Sequence, residues 1–351
     1  LSPMRKSPLR VCLADFEEAA RQKLTLSAYD FVAGGAADEI TIRWNREAYD
    51  RMRLRPRVLV DVSKLDTRVK LLGLELPHPI LLAPGAYQRL LHGEGELATA
   101  RGASSTESVF VVSSNATVSI EDIARVARSP LWLQLYAQSD PGRNREIIGR
   151  AQAAGCKALV VTVDTPVIGP RNREERGGFT LPKGISLPMN PQNQKERKTK
   201  SHQRVSLTWR DIEEFRSRSQ IPVLLKGILD PDDADQAVRR GLDGIIVSNH
   251  GGRNLDTATA TIDALPAVVD KVGGRVPILI DGGIRRGTDI VKALSQGAAA
   301  VLIGRPYMFG LAVAGAQGVA DVVRILRREL EMALALIGRA RIGDLDRSVL
   351  G

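Results

Sequence analysis

The chain has 351 residues, 43% of them hydrophobic, enough to fill a (β/α)8 barrel of roughly 250 residues with room for additions. Fifty Lys and Arg against 40 Asp and Glu leave a formal charge of +10, a field that favours small anions; with 4% aromatics and no nucleic-acid motif, base stacking has little support. Cys12 and Cys156 lack metal-ligand spacing, no apolar run reaches a membrane span, and the amino end lacks a signal-peptide core, so a soluble cytoplasmic protein is expected.

Asp15 followed by Glu18 resembles a capping box and predicts a helix over residues 15–24. A short second helix starts at Ser27, carries Tyr29, and stops at Gly34-Gly35; Ala36 to Arg51 reads as a third. Residues 54–72 read as extended and basic, completing an amino-terminal extension over residues 1–72. From there the chain alternates short apolar strands with helical stretches. The strands are Ile80 to Ala83, Val109 to Ser113, Leu131 to Tyr136, Ala158 to Val163, Val223 to Lys226, Gly244 to Val247, Ile278 to Asp281 and Ala300 to Ile303. Between them Glu96 to Ser105, Ile120 to Ala127, Arg143 to Ala154, Pro231 to Arg240, Thr261 to Val272 and Asp289 to Gln296 have helical periodicity. This is an α/β pattern, and eight such units argue for a single-domain TIM barrel over residues 73–338, ahead of an open doubly wound sheet. The segment 183–206 interrupts it after the fourth strand and is expected to be a mobile loop over the catalytic face; its basic run, Lys195 to Arg204, could serve as a lid or touch a membrane. Val319 to Ile337 should close the barrel, and residues 339–351 form a tail.

In such a fold the functional residues follow the strands, and here polar or permissive residues recur at those ends. Small residues Ala83-Pro-Gly-Ala86 let a flat ring approach the backbone, and Ser113-Ser-Asn115, Gln134-Leu-Tyr136, Thr162-Val-Asp164, Arg171 and Lys226 follow the next strands. The sixth strand runs straight into Ser248-Asn-His-Gly-Gly-Arg253, which delivers His250 as candidate base and Arg253 as candidate anion clamp. Asp164 can orient His250 and stabilise its imidazolium, and Arg171 offers a second planar fork for a carboxylate. Asp281-Gly-Gly-Ile-Arg285 and Gly304-Arg305 end the last two strands, where barrels hold phosphate on backbone NH groups. No nucleophile stands beside the base and no metal ligands cluster, which disfavours hydrolysis and metal catalysis.

Together Ser248-Asn-His-Gly-Gly-Arg253, Asp281-Gly-Gly-Ile-Arg-Arg-Gly-Thr-Asp289, Ile303-Gly-Arg-Pro306 and Tyr29-Asp-Phe-Val-Ala-Gly-Gly-Ala36 resemble the FMN-dependent 2-hydroxy acid oxidases and dehydrogenases, over residues 13–349. The resemblance implies FMN as cofactor and His250 as active-site base with Asp164 as its partner. It implies that Arg253, Tyr29 and Arg171 bind the substrate carboxylate and that Tyr136 faces the hydroxyl. Lys226 is then the cation near the flavin N1. Ala83, Pro84, Gly85, Ala86, Ser113, Gln134, Thr162 and Ser248 contact the isoalloxazine, Asp281 the ribityl chain, and Gly283, Arg285, Gly304 and Arg305 the phosphate. Asn115 stands where glycolate oxidase has tryptophan, and Ala86-Tyr-Gln-Arg-Leu90 looks more like the bacterial hydroxymandelate oxidases, so a bulkier, aromatic (S)-2-hydroxy acid is expected. Ala86 also tilts the reading to O2 as acceptor, and relatives suggest a homotetramer. The competing readings are a membrane-associated dehydrogenase passing electrons to quinone and a non-redox barrel isomerase or lyase that holds a substrate phosphate.

Overall fold

The computed structural model describes residues 10–190 and 207–351. Its centre is a closed parallel barrel of β3 (Ile80–Leu82), β4 (Phe110–Ser113), β5 (Leu131–Leu135), β6 (Leu159–Thr162), β7 (Val223–Ile228), β8 (Gly244–Val247), β9 (Ile278–Ile280) and β10 (Ala300–Ile303), which pairs back onto β3. Parallel strands covered by helices are buried on both faces and so read as continuous apolar runs, which is why all eight were legible. Alternate side chains separate into two cores. Leu81, Val111, Trp132, Val160, Leu224, Ile246, Leu279 and Leu302, drawn from every strand, fill the barrel, and their neighbours pack outward against the helices. A hairpin of β1 (Val69–Leu71) and β2 (Leu74–Leu76), absent from the sequence reading, adds Leu71 and Leu76 to the inner core.

The crossover helices are α4 (Glu96–Ser104), α5 (Ile120–Val126), α6 (Pro141–Ala153), α8 (Trp209–Arg218), α9 (Pro231–Arg239), α10 (Thr261–Val272) and α11 (Gly287–Ser295), with α7 (Asn172–Arg176) a short turn after β6. Both α7 and α8 went unread, flanking the segment 183–206. In the described part of that segment Leu187, Met189 and Asn190 are buried, and the basic run 195–204 lies outside the described residues. The last helix, α12 (Arg305–Leu336), starts well before Val319 and breaks at Ala314 and Gly315. Its length and composition would allow a membrane crossing, but 67% of its apolar window is buried inside the protein, and it packs on α4, α11 and the first helix of the extension.

That extension contains α1 (Leu13–Lys23), α2 (Leu26–Ala33) and α3 (Ile40–Arg51). Asp15 is not the cap of α1 but its third residue, where its carboxylate accepts the Val11 and Cys12 amides at 2.7 and 3.0 Å. Helix α3 begins four residues later than the periodicity predicts, at Ile40, because Ala37 and Glu39 adopt positive φ (43° and 60°) and the Ala36 and Ala37 amides donate to Gly252 and Pro170 instead of continuing a helix. The extension is therefore tied to the loop that follows β8. A reciprocal amide pair, Asn45 with Asn249 at 2.9 and 2.8 Å, makes a second tie.

Candidate active site

The carboxyl ends of the strands open into one cavity of about 1950 Å³. His250 enters it from a left-handed backbone position, φ 58°, pinned by its amide donating to Ser248 Oγ at 3.0 Å. Nδ1 lies 2.9 Å from Asp164 Oδ1 and Nε2 lies 3.1 Å from the Tyr136 hydroxyl. Burial lowers the imidazole below its ordinary value near 6.5, only partly offset by Asp164, so the ring rests neutral with a lone pair to offer. Burial would raise the Asp164 carboxyl, but His250, Lys226 and the Thr165 hydroxyl outweigh it and hold it below the carboxylate norm. Burial pushes Tyr136 up to about 12, so its hydroxyl keeps its proton.

Two further residues hold this dyad, neither of them singled out by the sequence. Asn254 donates to the Asp164 carbonyl, to Asp164 Oδ1 and to Thr165 Oγ1 at 2.9, 3.2 and 3.0 Å. Gly227 sits at a register shift in β7 with φ 108°, and a Cβ there would stand 2.5 Å from that of Asp164. Its only signal in sequence is a glycine inside a strand, the mark of a bulge or of close approach.

A second group of residues suits a flat, anionic cofactor. Ala83, Pro84, Gly85 and Ala86 line the cavity, and a side chain at Gly85 would come within 2.6 Å of the Tyr307 hydroxyl. Ser113 donates to Gln134 at 3.1 Å and Gln134 to Thr162 at 2.9 Å, a buried polar chain across β4, β5 and β6 of which Thr162 reaches the cavity. Lys226 donates to Ser248 Oγ at 2.9 Å and pairs with Asp281 Oδ2 at 3.1 Å; although burial opposes its charge, Asp281 and Asp164 raise it, so it stays a cation. Asp281 Oδ1 is buried without a partner among the described residues, an acceptor for a polyol hydroxyl. Gly282 and Gly283, at φ 95° and 79°, with Arg285 and the amino end of α12 at Gly304 and Arg305, form an end of the cavity suited to an anion. The Arg305 guanidinium lines the cavity and is oriented by donating to the Val32, Gly251 and Gly34 carbonyls at 3.0, 2.8 and 2.8 Å. The donor set and the cradle fit FMN: residues 83–86 would take the ring, Asp281 the ribityl chain, and the β9 and β10 loops the phosphate.

The third group is cationic and suits a carboxylate. Arg253 Nη1 donates to the Phe31 and Gly34 carbonyls, both at 2.8 Å, and its guanidinium lies 5.3 Å over the Phe31 ring. Burial, then Arg171 and Arg305, pull it down to about 9, so it remains charged at neutral pH. Arg171 and Asn115 line the same cavity, Asn115 Oδ1 accepting from Asn190 at 3.1 Å. Tyr29, the other expected partner of the carboxylate, stacks its ring on Phe309 at 5.9 Å at the edge of this group. The aromatic that α2 delivers to the cavity lining is Phe31, two residues and about 200° around the helix from Tyr29. Of the other expected residues, Ser113, Gln134 and Ser248 lie one layer behind the lining as supports.

Residues 20–351 match the FMN-dependent dehydrogenase family. The chain is 46% identical to L-lactate oxidase of Nostoc sp., covering 96% of this chain and 97% of that protein. It is 44% identical to a peroxisomal (S)-2-hydroxy-acid oxidase of Oryza sativa subsp. japonica, covering 97% and 95%. Among solved structures, mandelate oxidase superposes with a TM-score of 0.92 at 40% identity over 98% of each chain, and a variant of mandelate oxidase with (S)-mandelic acid does so at 0.91. With the family's motifs on the strand ends and its fold over almost the whole length, this chain is a member of the FMN-dependent dehydrogenase family.

Proposed function

We propose that the enzyme oxidises (S)-2-hydroxy acids carrying a bulky, aromatic side chain to 2-oxo acids, and that dioxygen takes the electrons and leaves as hydrogen peroxide. The observation that carries the oxidation is the convergence of a neutral, carboxylate-backed His250 with Arg253 and Arg171 in one cavity that also fits FMN. Arg253 and Arg171 hold the substrate carboxylate, which fixes the α-carbon; the Tyr136 hydroxyl, 3.1 Å from His250 Nε2, meets the substrate hydroxyl. His250 Nε2 accepts the hydroxyl proton and Asp164 stabilises the imidazolium that results. Bound FMN would supply the two-electron acceptor that takes the α-hydrogen as hydride. Buried Lys226 keeps a positive charge on hand for negative charge that develops on the cofactor.

An aromatic side chain is supported by the wall beside Arg253. Phe31 stacks on Phe179 at 5.0 Å and meets Tyr87 at 5.4 Å, and all three line the cavity. Dioxygen is supported by the oxidase names of the relatives and by Ala86 in the ring-facing loop. The lactate oxidase relative favours a smaller acid, and one experiment separates the two. Purified enzyme is mixed anaerobically with (S)-mandelate, L-lactate and glycolate in turn, the flavin absorbance is followed, and air is admitted. Fastest bleaching by mandelate and rapid recovery with peroxide are expected. Faster bleaching by lactate would remove the aromatic assignment, and slow recovery would remove dioxygen as acceptor.

A further inference from the structure

The two guanidiniums that face the substrate carboxylate are already bridged by a carboxylate of the chain. Glu174, on α7, is 8% exposed, and its Oε1 accepts from Arg253 Nη2 at 3.1 Å and from Arg171 Nη1 at 3.3 Å. It lines the same cavity as both arginines. Two half-buried cations side by side repel each other, and a carboxylate between them offsets that repulsion. Among the described residues, the two guanidiniums and the carboxylate that bridges them sum to +1. Arg171 Nε is also buried without a partner among the described residues, a donor left for an incoming anion.

We propose that Glu174 is a specificity-determining residue which trims the arginine clamp to a single net positive charge and so selects monocarboxylate 2-hydroxy acids against dicarboxylates. The inference rests on the reading of Arg253 and Arg171 as the substrate clamp. Glu174 touches no reacting atom in this account; it acts through the two arginines. With Glu174 neutral the clamp carries +2, and a dianion no longer leaves a negative charge uncompensated in a site of low dielectric. Shortening the side chain while keeping its charge changes the spacing but not the sum.

The test uses holoenzyme and the matched pair (S)-2-hydroxybutanoate and (S)-2-hydroxysuccinate, which differ by a terminal methyl against a terminal carboxylate. Flavin reduction is followed by stopped flow, and the ratio of second-order rate constants for the two acids is compared across variants. Wild type is expected to favour the monocarboxylate. In Glu174→Gln the ratio moves toward the dicarboxylate by about tenfold or more, as expected for one charge at a few ångströms in a partly screened site. Glu174→Asp stays near the wild-type ratio, which a merely structural role would not produce. A Gln variant that holds FMN with an unchanged ratio, or an Asp variant that moves as far as Gln, overturns the proposal. Binding of phenylacetate and phenylmalonate to wild type, read from the flavin spectrum, decides the matter without any turnover: tighter phenylacetate supports it and tighter phenylmalonate overturns it. A flavin that no 2-hydroxy acid reduces counts against the oxidation reading instead and leaves this binding comparison decisive.

Discussion

The two walls of the cavity are built in different ways. The wall that fits the cofactor is made of backbone and of side chains fixed by neighbouring strands: Gly282 and Gly283 at positive φ, the Ser113, Gln134 and Thr162 chain, and Lys226 between Ser248 and Asp281. The wall that faces substrate is made of charged side chains held by groups far away in sequence, such as Arg253 on the Phe31 and Gly34 carbonyls and Asp164 under Asn254. Barrel strands position most of the first, with the extension adding the Arg46 bond to the Gly283 carbonyl at 2.7 Å. The second depends on the amino-terminal extension docking against the β8 loop through Ala36 and Asn45. A fold that keeps its cofactor site in the strands is free to vary its substrate through loops and additions.

That division predicts separable losses. His250→Ala removes the base and lowers the rate of flavin reduction by about a hundred- to ten-thousand-fold, the scale of general base catalysis, while FMN stays bound. Stopped-flow reduction with the flavin content measured alongside checks it, and joint loss of FMN would break the comparison. Gly283→Ala gives the reverse. Its φ of 79° is unsuited to alanine, and the new Cβ would stand 2.3 Å from the Asn45 carbonyl oxygen. Affinity for FMN should fall by roughly a hundredfold, which is the strain of a forced backbone expressed as binding. Fluorescence titration of apoprotein measures this, and enzyme saturated with FMN should keep its KM for the hydroxy acid.

The same division explains what the sequence shows. The strands and the residues at their ends are local signals, apolar runs followed by glycine, histidine or aspartate, and the cofactor wall was legible for that reason. Glu174, Asn254 and Phe31 were not, because each acquires its role from a partner brought close only by folding: two arginines, the Asp164 carboxylate, and the Arg253 guanidinium. Tyr29 was the more prominent aromatic, but the phase of α2 decides which of the two enters the cavity. The start of α3 was missed on similar grounds, since amides that would extend the helix bond instead to Gly252 and Pro170. Local periodicity carries no trace of that contact.

The acid limb of the rate profile probes how well the substrate wall excludes water. Burial lowers His250, so kcat/KM should rise with pH through a value below 6.5 and be flat across neutrality, because Asp164 is depressed as well and stays ionised. Below that value the rate falls about tenfold per pH unit, as for any single base that must be unprotonated. A midpoint above 6.5 would mean that the Asp164 charge outweighs burial in the free enzyme. It would make the two walls more alike in solvation than the geometry indicates.

The finest test concerns the two aromatics of α2. Phe31 carries a stacked contact with Phe179, a tilted one with Tyr87 and the Arg253 guanidinium 5.3 Å above its ring. Removing it in Phe31→Ala takes away an aromatic pairing and a cation–π contact of about 1–2 kcal/mol together, and KM for an aromatic acid should rise about tenfold. Tyr29→Phe removes only a hydroxyl that lies outside the cavity lining, and its KM should stay within about twofold of wild type, the scale of a surface change. A hydroxyl that met the substrate carboxylate would be worth about 1.5–3 kcal/mol, and its loss would raise KM tenfold or more. The size of the Tyr29→Phe effect therefore decides whether α2 meets substrate with an apolar ring and a guanidinium support, or with a phenol as the sequence motif suggested.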